Sequence, residues 1–352
     1  MVESCLSDPK PVGDQSVPQG SLLGPLLFII FYNDFPAARE VGSSVLYADD
    51  DTDIVADNDI ENLTEKIQNE ANLSTDWVKD NRLVCSGKKT KLLIIGTREL
   101  KRSRQGNTKV EITVAGHTVK ESESERLLGI IVNNTMTWES HLYGNDEHKG
   151  LIPKLSQRAK LIQRLSLVMP KDKLKILAEG IFFSILNYCI QVYGNVWDLT
   201  MYNEKQNRST AFTKDDNRRL QIIVNKVLRV LTGLDYDTPV AQLVVASGQL
   251  SVQQRTAYHT LVSMYKTIQS GLPVYCHNRL EESRPRSSSL ETRSNVMYRV
   301  DYRLSVSRCS YFYRGTRLFN QLPLDTREET NLKTFKKKAK AWVMKNIPVL
   351  PP

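Results

Sequence analysis

The amino-acid sequence predicts an α+β fold, with a small antiparallel sheet and its helices first and helices alone in the rest of the chain. Two observations carry this prediction. Short apolar segments separated by turn residues recur up to about residue 149, whereas apolar stripes at helical spacing dominate from about residue 150. The chain has 352 residues, of which 40% are hydrophobic and 25% charged, so it can form two or three domains with packed cores.

The predicted sheet is built around a hairpin. A uniformly apolar segment, residues 25–32, predicts a buried helix that runs to about Asp34 and is ended by Pro36. Strands 44–47 and 53–56 then form the hairpin, and Asp57-Asn58-Asp59 offers N-caps for a helix with one apolar face. Further strands are predicted at residues 92–95, 110–114, 118–119 and 126–132, with a turn at Ala115-Gly116. Residues 1–16 are predicted to be a loose leader.

The second half of the chain reads as helices separated by polar loops. Helices are predicted at residues 155–168, 171–193, 220–231, 251–271 and 331–346, and loops at 201–216 and 284–293. Gly233 is placed to end the third of these helices. We therefore divide the chain into a leader (1–16), an α+β domain (17–149), a helical region (150–275) and a basic C-terminal region (276–352).

Charge is unevenly distributed along the chain. Residues 1–150 carry 16 Lys and Arg against 24 Asp and Glu, a net charge of −8, and residues 151–352 carry 32 against 15, a net charge of +17. A solvated surface would mix the two signs. The division therefore favours a polyanionic partner, such as nucleic acid, for the second half.

Cysteine usage and hydropathy exclude several classes of protein. Five cysteines without paired spacing argue against a disulfide framework and against a zinc knuckle, and they indicate a reducing intracellular compartment, nuclear or cytoplasmic. The longest apolar run, residues 22–32, is interrupted by Gly24-Pro25 and is too short to span a bilayer. With no signal-peptide pattern at the start, we expect a soluble protein that has no membrane partner.

The most informative motif is Tyr47-Ala48-Asp49-Asp50, at the tip of the predicted hairpin. Adjacent carboxylates repel each other, and a hard cation such as Mg²⁺ relieves that repulsion by taking oxygen ligands. Paired Mg²⁺ ions, roughly 3.5–4 Å apart, are suited to phosphoryl transfer. For the motif alone, the alternative is an ordinary turn in which Asp hydrogen-bonds to the backbone.

Two further blocks flank this motif along the chain. Upstream the sequence runs Val17-Pro18-Gln19-Gly20-Ser21-Leu22-Leu23-Gly24-Pro25, and downstream it runs Leu127-Leu128-Gly129, followed by Thr137-Trp138 and His141. With the blocks in this order and at these distances, the chain resembles the reverse transcriptase of a non-LTR (LINE-like) retrotransposon, truncated at the N-terminus. The resemblance covers residues 17–142 well and residues 150–345 more loosely.

This resemblance implies a partial polymerase palm followed by a helical thumb. It also implies an RNA-directed DNA polymerase that binds an RNA template, a DNA primer and deoxynucleotides. On the matching positions, Asp49 and Asp50 would hold a two-ion Mg²⁺ site and act in catalysis, while Tyr47 would line the floor beside the primer end. Gln19 and Gly20 would lie beneath the incoming nucleotide and the template, with a turn that starts a helix as the alternative.

Other positions take roles by the same resemblance. Lys89 would neutralise phosphate charge or protonate pyrophosphate, with a solvated basic loop as the alternative. Leu128 and Gly129 would form the primer grip, where glycine lets a nucleic-acid backbone approach closely. Trp138 and His141 fit the same block, although a buried Trp that covers a sheet edge explains Trp138 equally well.

The chain departs from the family pattern upstream of the hairpin. Family members carry fingers and a first palm strand that supplies another Asp, and nothing among residues 1–16 replaces it, since Asp8 and Asp14 follow no apolar strand. The two ions would then share a reduced ligand set. We therefore expect that this chain alone does not polymerise DNA.

A second departure lies within the hairpin itself. The family commonly goes from Asp-Asp directly to Thr, but here Asp51 intervenes. If Asp51 is an insertion, the second strand slips by one residue and its faces reverse, so that Asp53 and Val55 change sides. A hairpin with Ile54 and Ala56 packed inward would instead mean that the loop absorbs the extra residue.

Three functions remain open at this point. The leading interpretation is an inactive fragment of a non-LTR retrotransposon reverse transcriptase. The second is a nucleic-acid-binding module that keeps the basic helices without chemistry. The third is a non-functional transposon remnant that folds poorly.

Overall fold

In a computed structural model of the chain, residues 2–5, 23–40, 42–96, 109–196, 213–283 and 310–349 are described, the first of these ranges by its backbone alone. The chain divides into two compact units, Met1–Met136 and Thr137–Pro352. Strands and helices make up the first unit and helices dominate the second, which confirms the predicted α+β class. The boundary predicted after residue 149 falls inside the second unit.

A four-stranded antiparallel sheet organises the first unit. Its strands are β1 Val2–Cys5, β2 Ser43–Tyr47, β3 Asp50–Ile54 and β4 Lys91–Leu92, and they lie in the order β2-β3-β1-β4. Helix α1 (Gly24–Tyr32) connects β1 to β2, and helix α2 (Ile60–Asp80) connects β3 to β4. This succession of elements, βαββαβ with antiparallel neighbours, is the split βαβ motif of ferredoxin-like folds.

Strand β1 corrects one expectation from the sequence. The predicted loose leader contains a strand, since β1 pairs with β3 on one side and with β4 on the other. The register sets Cys5 opposite Asp50 and Val2 opposite Asp53. The position of a first strand in the sheet is therefore occupied, by the sequence Val-Glu-Ser-Cys, which contains no aspartate.

Helix α1 forms where it is predicted, but the expectation that it is buried is wrong. Gly24 and Tyr32 are buried at its two ends, whereas its remaining large apolar side chains are exposed or partly exposed. Tyr32 stacks on Phe35 of the following 3-10 turn, Phe35–Ala38, and meets Trp77 of α2 edge-on. A uniformly apolar run gives no indication of which face meets a partner, because it lacks the polar residues that define an amphipathic face.

The remaining strands of the first unit form two hairpins. Strands β5 (Glu111–Val114) and β6 (His117–Lys120) are joined by Ala115-Gly116 as predicted, and they pack against α2. The predicted strand at 126–132 is instead a second hairpin, β7 (Ser124–Leu127) and β8 (Ile130–Asn133). Of the predicted strand at 92–95, only Leu92 belongs to a strand.

The second unit is assembled from helices, whose bounds are as follows: α3 Glu139–Tyr143, α4 Leu151–Leu165, α5 Lys171–Ala178, α6 Ser184–Asn187, α7 Ile190–Tyr193, α8 Lys214–Thr232, α9 Val240–Ser247, α10 Val252–Ser270, α11 Val274–Glu282, α12 Tyr311–Gln321, α13 Leu324–Arg327 and α14 Leu332–Asn346. Helix α10 packs against α12 and α14 around a core that includes Leu261, Met264, Phe319 and Phe335. No helix among the described residues is both long enough and apolar enough to cross a membrane.

Two predictions for this unit need correction. The predicted single helix at 171–193 is broken into α5, α6 and α7 by a π-helical turn, Glu179–Phe183, and by Cys189, whose φ is 55°. The side chains of Phe182 and Phe183 are fully buried, so core packing accompanies the irregular turn. The predicted loop at 201–216 ends earlier, because Thr213 and Asp216 form a capping box that starts α8. Residues 197–212 and the predicted loop at 284–293 lie outside the described residues.

Candidate functional site

The turn between β2 and β3 carries the aspartate pair. Tyr47 and Asp50 are cross-strand partners, so Ala48 and Asp49 form a two-residue loop with Asp49 exposed. Ala48 has a φ of 55°, a region that residues with a Cβ rarely occupy. Strained backbone of this kind costs about 1–3 kcal/mol and is frequent at functional sites. The hairpin thus presents Asp49 at its tip and holds Tyr47 and Asp50 beside it.

The register of the hairpin settles the question raised by Asp51. Leu46 pairs with Asp51, and Ser44 pairs with Asp53, whose Oδ1 accepts a hydrogen bond of 2.7 Å from the Ser44 hydroxyl. Asp51, Thr52 and Asp53 are all buried, whereas Ile54 is exposed. The acidic positions, and not Ile54 and Ala56, therefore face inward, as expected for the slipped strand.

A buried arginine holds these two carboxylates. Nη2 of Arg39 lies 2.8 Å from Asp51 Oδ2 and 2.9 Å from Asp53 Oδ2, and Nη1 lies 4.0 Å from Glu70 Oε2. Arg39 also donates to the backbone carbonyl of Glu70 at 2.8 Å and to the Ser74 hydroxyl. The hairpin is thereby tied to α2 by an ion-pair cluster, which we define as Arg39, Asp51, Asp53 and Glu70.

Burial controls the electrostatics of the ion-pair cluster. Three carboxylates face one guanidinium, and burial raises the pKa of Asp53 while Arg39 opposes that rise. Glu70 Oε1 accepts backbone N–H bonds from Glu40 (3.3 Å) and Gly42 (3.1 Å), so the segment before β2 is fixed to the same carboxylate. The Arg39 guanidinium lies 4.4 Å from the centroid of the Phe35 ring, which closes one side of the cluster.

Sequence reasoning missed Arg39 and Glu70. The available signal was Glu70 itself, an acid on the apolar stripe of α2 between Ile67 and Ala71. A charge at such a position is almost never fully buried unless it is paired, so it predicts a buried cation nearby. Nothing in the spacing pointed to Arg39 as that cation, because the pair is separated by 31 positions along the chain.

The candidate primer-grip residues lie on the β7–β8 hairpin of the first unit. Leu128 and Gly129 form the two-residue turn between β7 and β8, with φ values of 45° and 88°. Two consecutive positive φ values are typical of the type I′ turn that suits a tight hairpin. The glycine is therefore explained by the turn, and Leu128, 40% exposed, is presented at its tip.

Lys89 is exposed on a separate turn, residues 86–90, just before β4. The N–H groups of Lys89 and Thr90 both donate to the carbonyl of Ser86, at 2.9 and 3.1 Å. The turn is packed closely, since a Cβ on Gly87 would lie 2.3 Å from the carbonyl oxygen of Val114. Of the predicted site residues, the structure thus brings together Tyr47, Asp49 and Asp50, and it places Lys89, Leu128 and Gly129 on other turns. Gln19 and Gly20 lie outside the described residues.

Trp138 and His141 belong to the core of the second unit. Both are buried, and the ring of His141 lies 4.7 Å from that of Tyr193 and 6.4 Å from that of Trp138. Burial lowers the pKa of His141 to about 4, assisted by the charge of Lys154. These contacts favour the reading of Trp138 as a packed core residue.

The hairpin offers an incomplete set of metal ligands. Asp49 and Asp50 supply carboxylate oxygens of the type that Mg²⁺ prefers. Across the described ranges, no group of three or more His, Cys, Asp or Glu side chains is arranged to hold a metal ion. Within the part of the chain that the structure describes, Asp49 and Asp50 are thus a carboxylate pair and not a complete set of metal ligands.

The hairpin of the split βαβ sheet thus presents a pair of adjacent carboxylates, which are oxygen donors of the kind that hard cations bind. Comparison with known proteins gives three relatives. The chain is 28% identical over 205 residues to an RNA-directed DNA polymerase from mobile element jockey of Drosophila funebris, covering 54% of this chain and 20% of that protein. It is 24% identical over 293 residues to a probable RNA-directed DNA polymerase from transposon X-element of Drosophila melanogaster. That match covers 82% of this chain and 28% of the relative.

A third relative is an RNA-directed DNA polymerase from mobile element jockey of Drosophila melanogaster, 25% identical over 205 residues. These relatives confirm the resemblance to non-LTR retrotransposon reverse transcriptases. The matches span between 20% and 28% of the length of those relatives. No family model and no solved structure matches the chain.

Proposed function

We propose that this chain is part of the RNA-directed DNA polymerase of a non-LTR retrotransposon, with the β2–β3 turn as its catalytic turn. One observation carries the proposal: Asp49 is exposed at the tip of the hairpin, beside the cross-strand pair Tyr47 and Asp50. The named activity of the relatives supports it. In this proposal Asp49 and Asp50 contribute carboxylates for Mg²⁺, and Tyr47 lines the adjoining surface next to the primer end.

We further propose that this chain binds template and primer without completing polymerisation alone. The neighbouring acids Asp51 and Asp53 are bound to Arg39 and do not add to the pair at the tip. A magnesium ion, when bound, would neutralise charge on phosphate oxygens, and catalytic groups that act as a unit lose most of their effect when one is absent.

The test combines binding with primer extension. A fluorescent DNA primer annealed to an RNA template is titrated with the purified chain in Mg²⁺ and in EDTA, and deoxynucleotides are then added. We expect Mg²⁺ to tighten binding for the wild-type chain but not for Asp49→Asn, and we expect no extension. Asp76→Asn, which removes an exposed carboxylate on α2, is the matched control.

Two outcomes would contradict these proposals separately. Mg²⁺-dependent extension that disappears in Asp49→Asn but persists in Asp76→Asn would refute the proposed inactivity. Absence of template–primer binding in both buffers would refute the assignment to a polymerase.

A second candidate function, a nucleic-acid-binding module without chemistry, is favoured by α14. Lys333, Lys336 and Lys337 are exposed on this helix, while Phe335 and Ala339 pack into the core. Lys338 differs from them, because its Nζ lies 3.2 Å from Glu329 and 3.5 Å from Asp325. The exposed lysines can contact a phosphate backbone whether or not the β2–β3 hairpin supports catalysis.

A further inference from the structure

A cleft of about 530 Å³ lies in the second unit, far along the chain from the hairpin. It is formed by one face of α8, the loop between α8 and α9, the start of α9 and Val349. Its volume falls within the range of small-molecule sites, roughly 300–1,000 Å³. The cleft has an apolar part, formed by Ile222, Pro239, Val240, Ala241 and Val349.

The polar groups of the cleft are mainly donors and cations. Asn225, Lys226 and Arg229 lie along one face of α8 at helical spacing, and Asp237 is the one acid among the lining residues. Asn225 Oδ1 accepts a hydrogen bond of 2.8 Å from Gln221, which leaves the amide N–H groups of Asn225 as donors for a ligand. The lining therefore has two cations, Lys226 and Arg229, and one carboxylate, Asp237. This net positive charge favours the binding of an anionic ligand.

An aromatic ring borders the same cleft. Tyr236 is 82% exposed, and the guanidinium of Arg229 lies 4.8 Å from the centroid of its ring. Arg229 Nη2 also donates to the Tyr236 carbonyl at 2.9 Å, whereas the buried Nε of Arg229 has no hydrogen-bond partner among the described atoms. The arginine thus fixes the loop and keeps the tyrosine ring at the edge of the cleft.

We propose that this cleft binds one nucleotide of a single-stranded nucleic acid, with the base on the Tyr236 ring and the phosphate beside Lys226 and Arg229. Aromatic rings and basic groups are the two components of sequence-tolerant single-strand binding, because every base has a stacking face and every nucleotide has a phosphate. The basic second half of the chain supports a polyanionic ligand. This inference rests on the second unit alone and holds even if the hairpin has no polymerase chemistry.

The test is fluorescence anisotropy of labelled dT and rU twelve-mers titrated with the full chain. We expect Tyr236→Ala to weaken binding about tenfold, as for loss of one stacked base, while Tyr236→Phe keeps the wild-type affinity. Lys226→Gln is expected to weaken binding and to make the slope of log affinity against log salt less steep by about 0.7. The matched controls are Tyr275→Ala, at a tyrosine 69% exposed on α11, and Lys266→Gln, at an exposed lysine on α10.

Each outcome bears on the proposal. If the variants lose affinity equally for the dT and rU twelve-mers, the cleft recognises features common to both nucleotides. If they lose affinity for the rU twelve-mer alone, the cleft recognises ribonucleotides. Variants at 236 and 226 that bind like their controls overturn the proposal, as does a wild-type chain that binds neither strand. Unchanged thermal unfolding of the variants shows that a loss arises at the cleft and not from misfolding.

Discussion

At the scale of single residues, Arg39 determines how the acidic hairpin can be packed. Its side chain and that of Asp51 are almost completely buried, and three carboxylates share its charge. Burial of an ion pair carries a desolvation cost, which is offset only by close geometry and added hydrogen bonds. Arg39 supplies both, which explains how a strand with the sequence Asp50-Asp51-Thr52-Asp53 can face a helix.

We predict that Arg39→Met is strongly destabilising. Removal of the cation leaves buried carboxylates without compensation, for which a loss of roughly 3–5 kcal/mol is expected. The measurement is urea unfolding followed by circular dichroism. Lys79→Met, which removes an exposed cation of α2, is the control and should change the free energy of unfolding by less than about 0.5 kcal/mol. Equal effects of the two substitutions would show that Arg39 contributes no buried charge compensation.

A pH dependence follows from Asp53. Its pKa in the folded protein lies above the ordinary value of 3.8, because burial disfavours the charged form more than Arg39 favours it. Between the two pKa values the folded protein binds more protons than the unfolded chain. The stability contributed by Asp53 is therefore fully present below pH 3.8 and is lost as the pH rises through the folded-state pKa.

We predict that Asp53→Asn removes this contribution, because the amide does not ionise. The difference in free energy of unfolding, variant minus wild type, should become more positive as the pH rises from 3.5 to 7. Urea titrations across that range provide the measurement. Asp76→Asn, at an exposed site, should show no such rise. A difference that stays flat or falls with pH would mean that the pKa of Asp53 is not raised in the folded protein.

The site residues differ in how far the sequence could reveal them. Asp49 and Asp50 could be found because they are adjacent and follow an apolar strand. Lys89 was named by resemblance with a basic loop as the alternative, and Gly129 was placed inside a predicted strand, whereas both lie on turns. Where those turns lie in the first unit depends on how the whole unit packs. The contact between Arg39 and Glu70 forms only because the segment before β2 packs against α2 in the folded unit. No local sequence pattern predicts that packing.

At the scale of elements, local signals predicted the capped helices α2, α10 and α14, whereas no helix was predicted at α9, α11 or α12. The N-caps of α2, α10 and α14 are Asp59, Ser251 and Asn331, each at or next to the predicted start, and each accepts backbone hydrogen bonds through its side chain. Such caps act within one turn of helix, so the sequence contains them completely. The break between α5 and α7 was missed because it accompanies the packing of Phe182 and Phe183 in the core.

The β7–β8 turn offers a prediction at this scale. Gly129 has a φ of 88°, so Gly129→Ala is expected to destabilise the hairpin by about 1–2 kcal/mol. Thermal unfolding, together with hydrogen exchange of the β7 and β8 amides, provides the measurement. Gly96→Ala is the matched control, because an added Cβ there meets no atom within 4 Å. Equal stability of the two variants would mean that Gly129 is not retained for its backbone conformation.

At the scale of the whole molecule, the division of charge is the feature that the sequence predicts without any structure. The net charge of +17 over residues 151–352 lies entirely within the second unit, whose described part is dominated by helices. The structure adds a distinction that the sequence could not make, since some of these cations are paired with acids. Within α14, Lys338 is paired, while Lys333, Lys336 and Lys337 project outward.

This distinction leads to a prediction about salt dependence. Replacement of Lys333, Lys336 and Lys337 by Gln should make the slope of log affinity against log salt for single-stranded RNA less steep by up to about 2, since each phosphate contact contributes roughly 0.7. Anisotropy titrations between low and physiological salt provide the measurement. Lys338→Gln should leave the slope unchanged, because its charge is already balanced by Glu329 and Asp325. If the triple variant keeps the wild-type slope, α14 is a solubilising surface and not part of the nucleic-acid interface. If the slope falls while Asp49→Asn binds RNA like the wild-type chain, binding by the basic helices is independent of the hairpin.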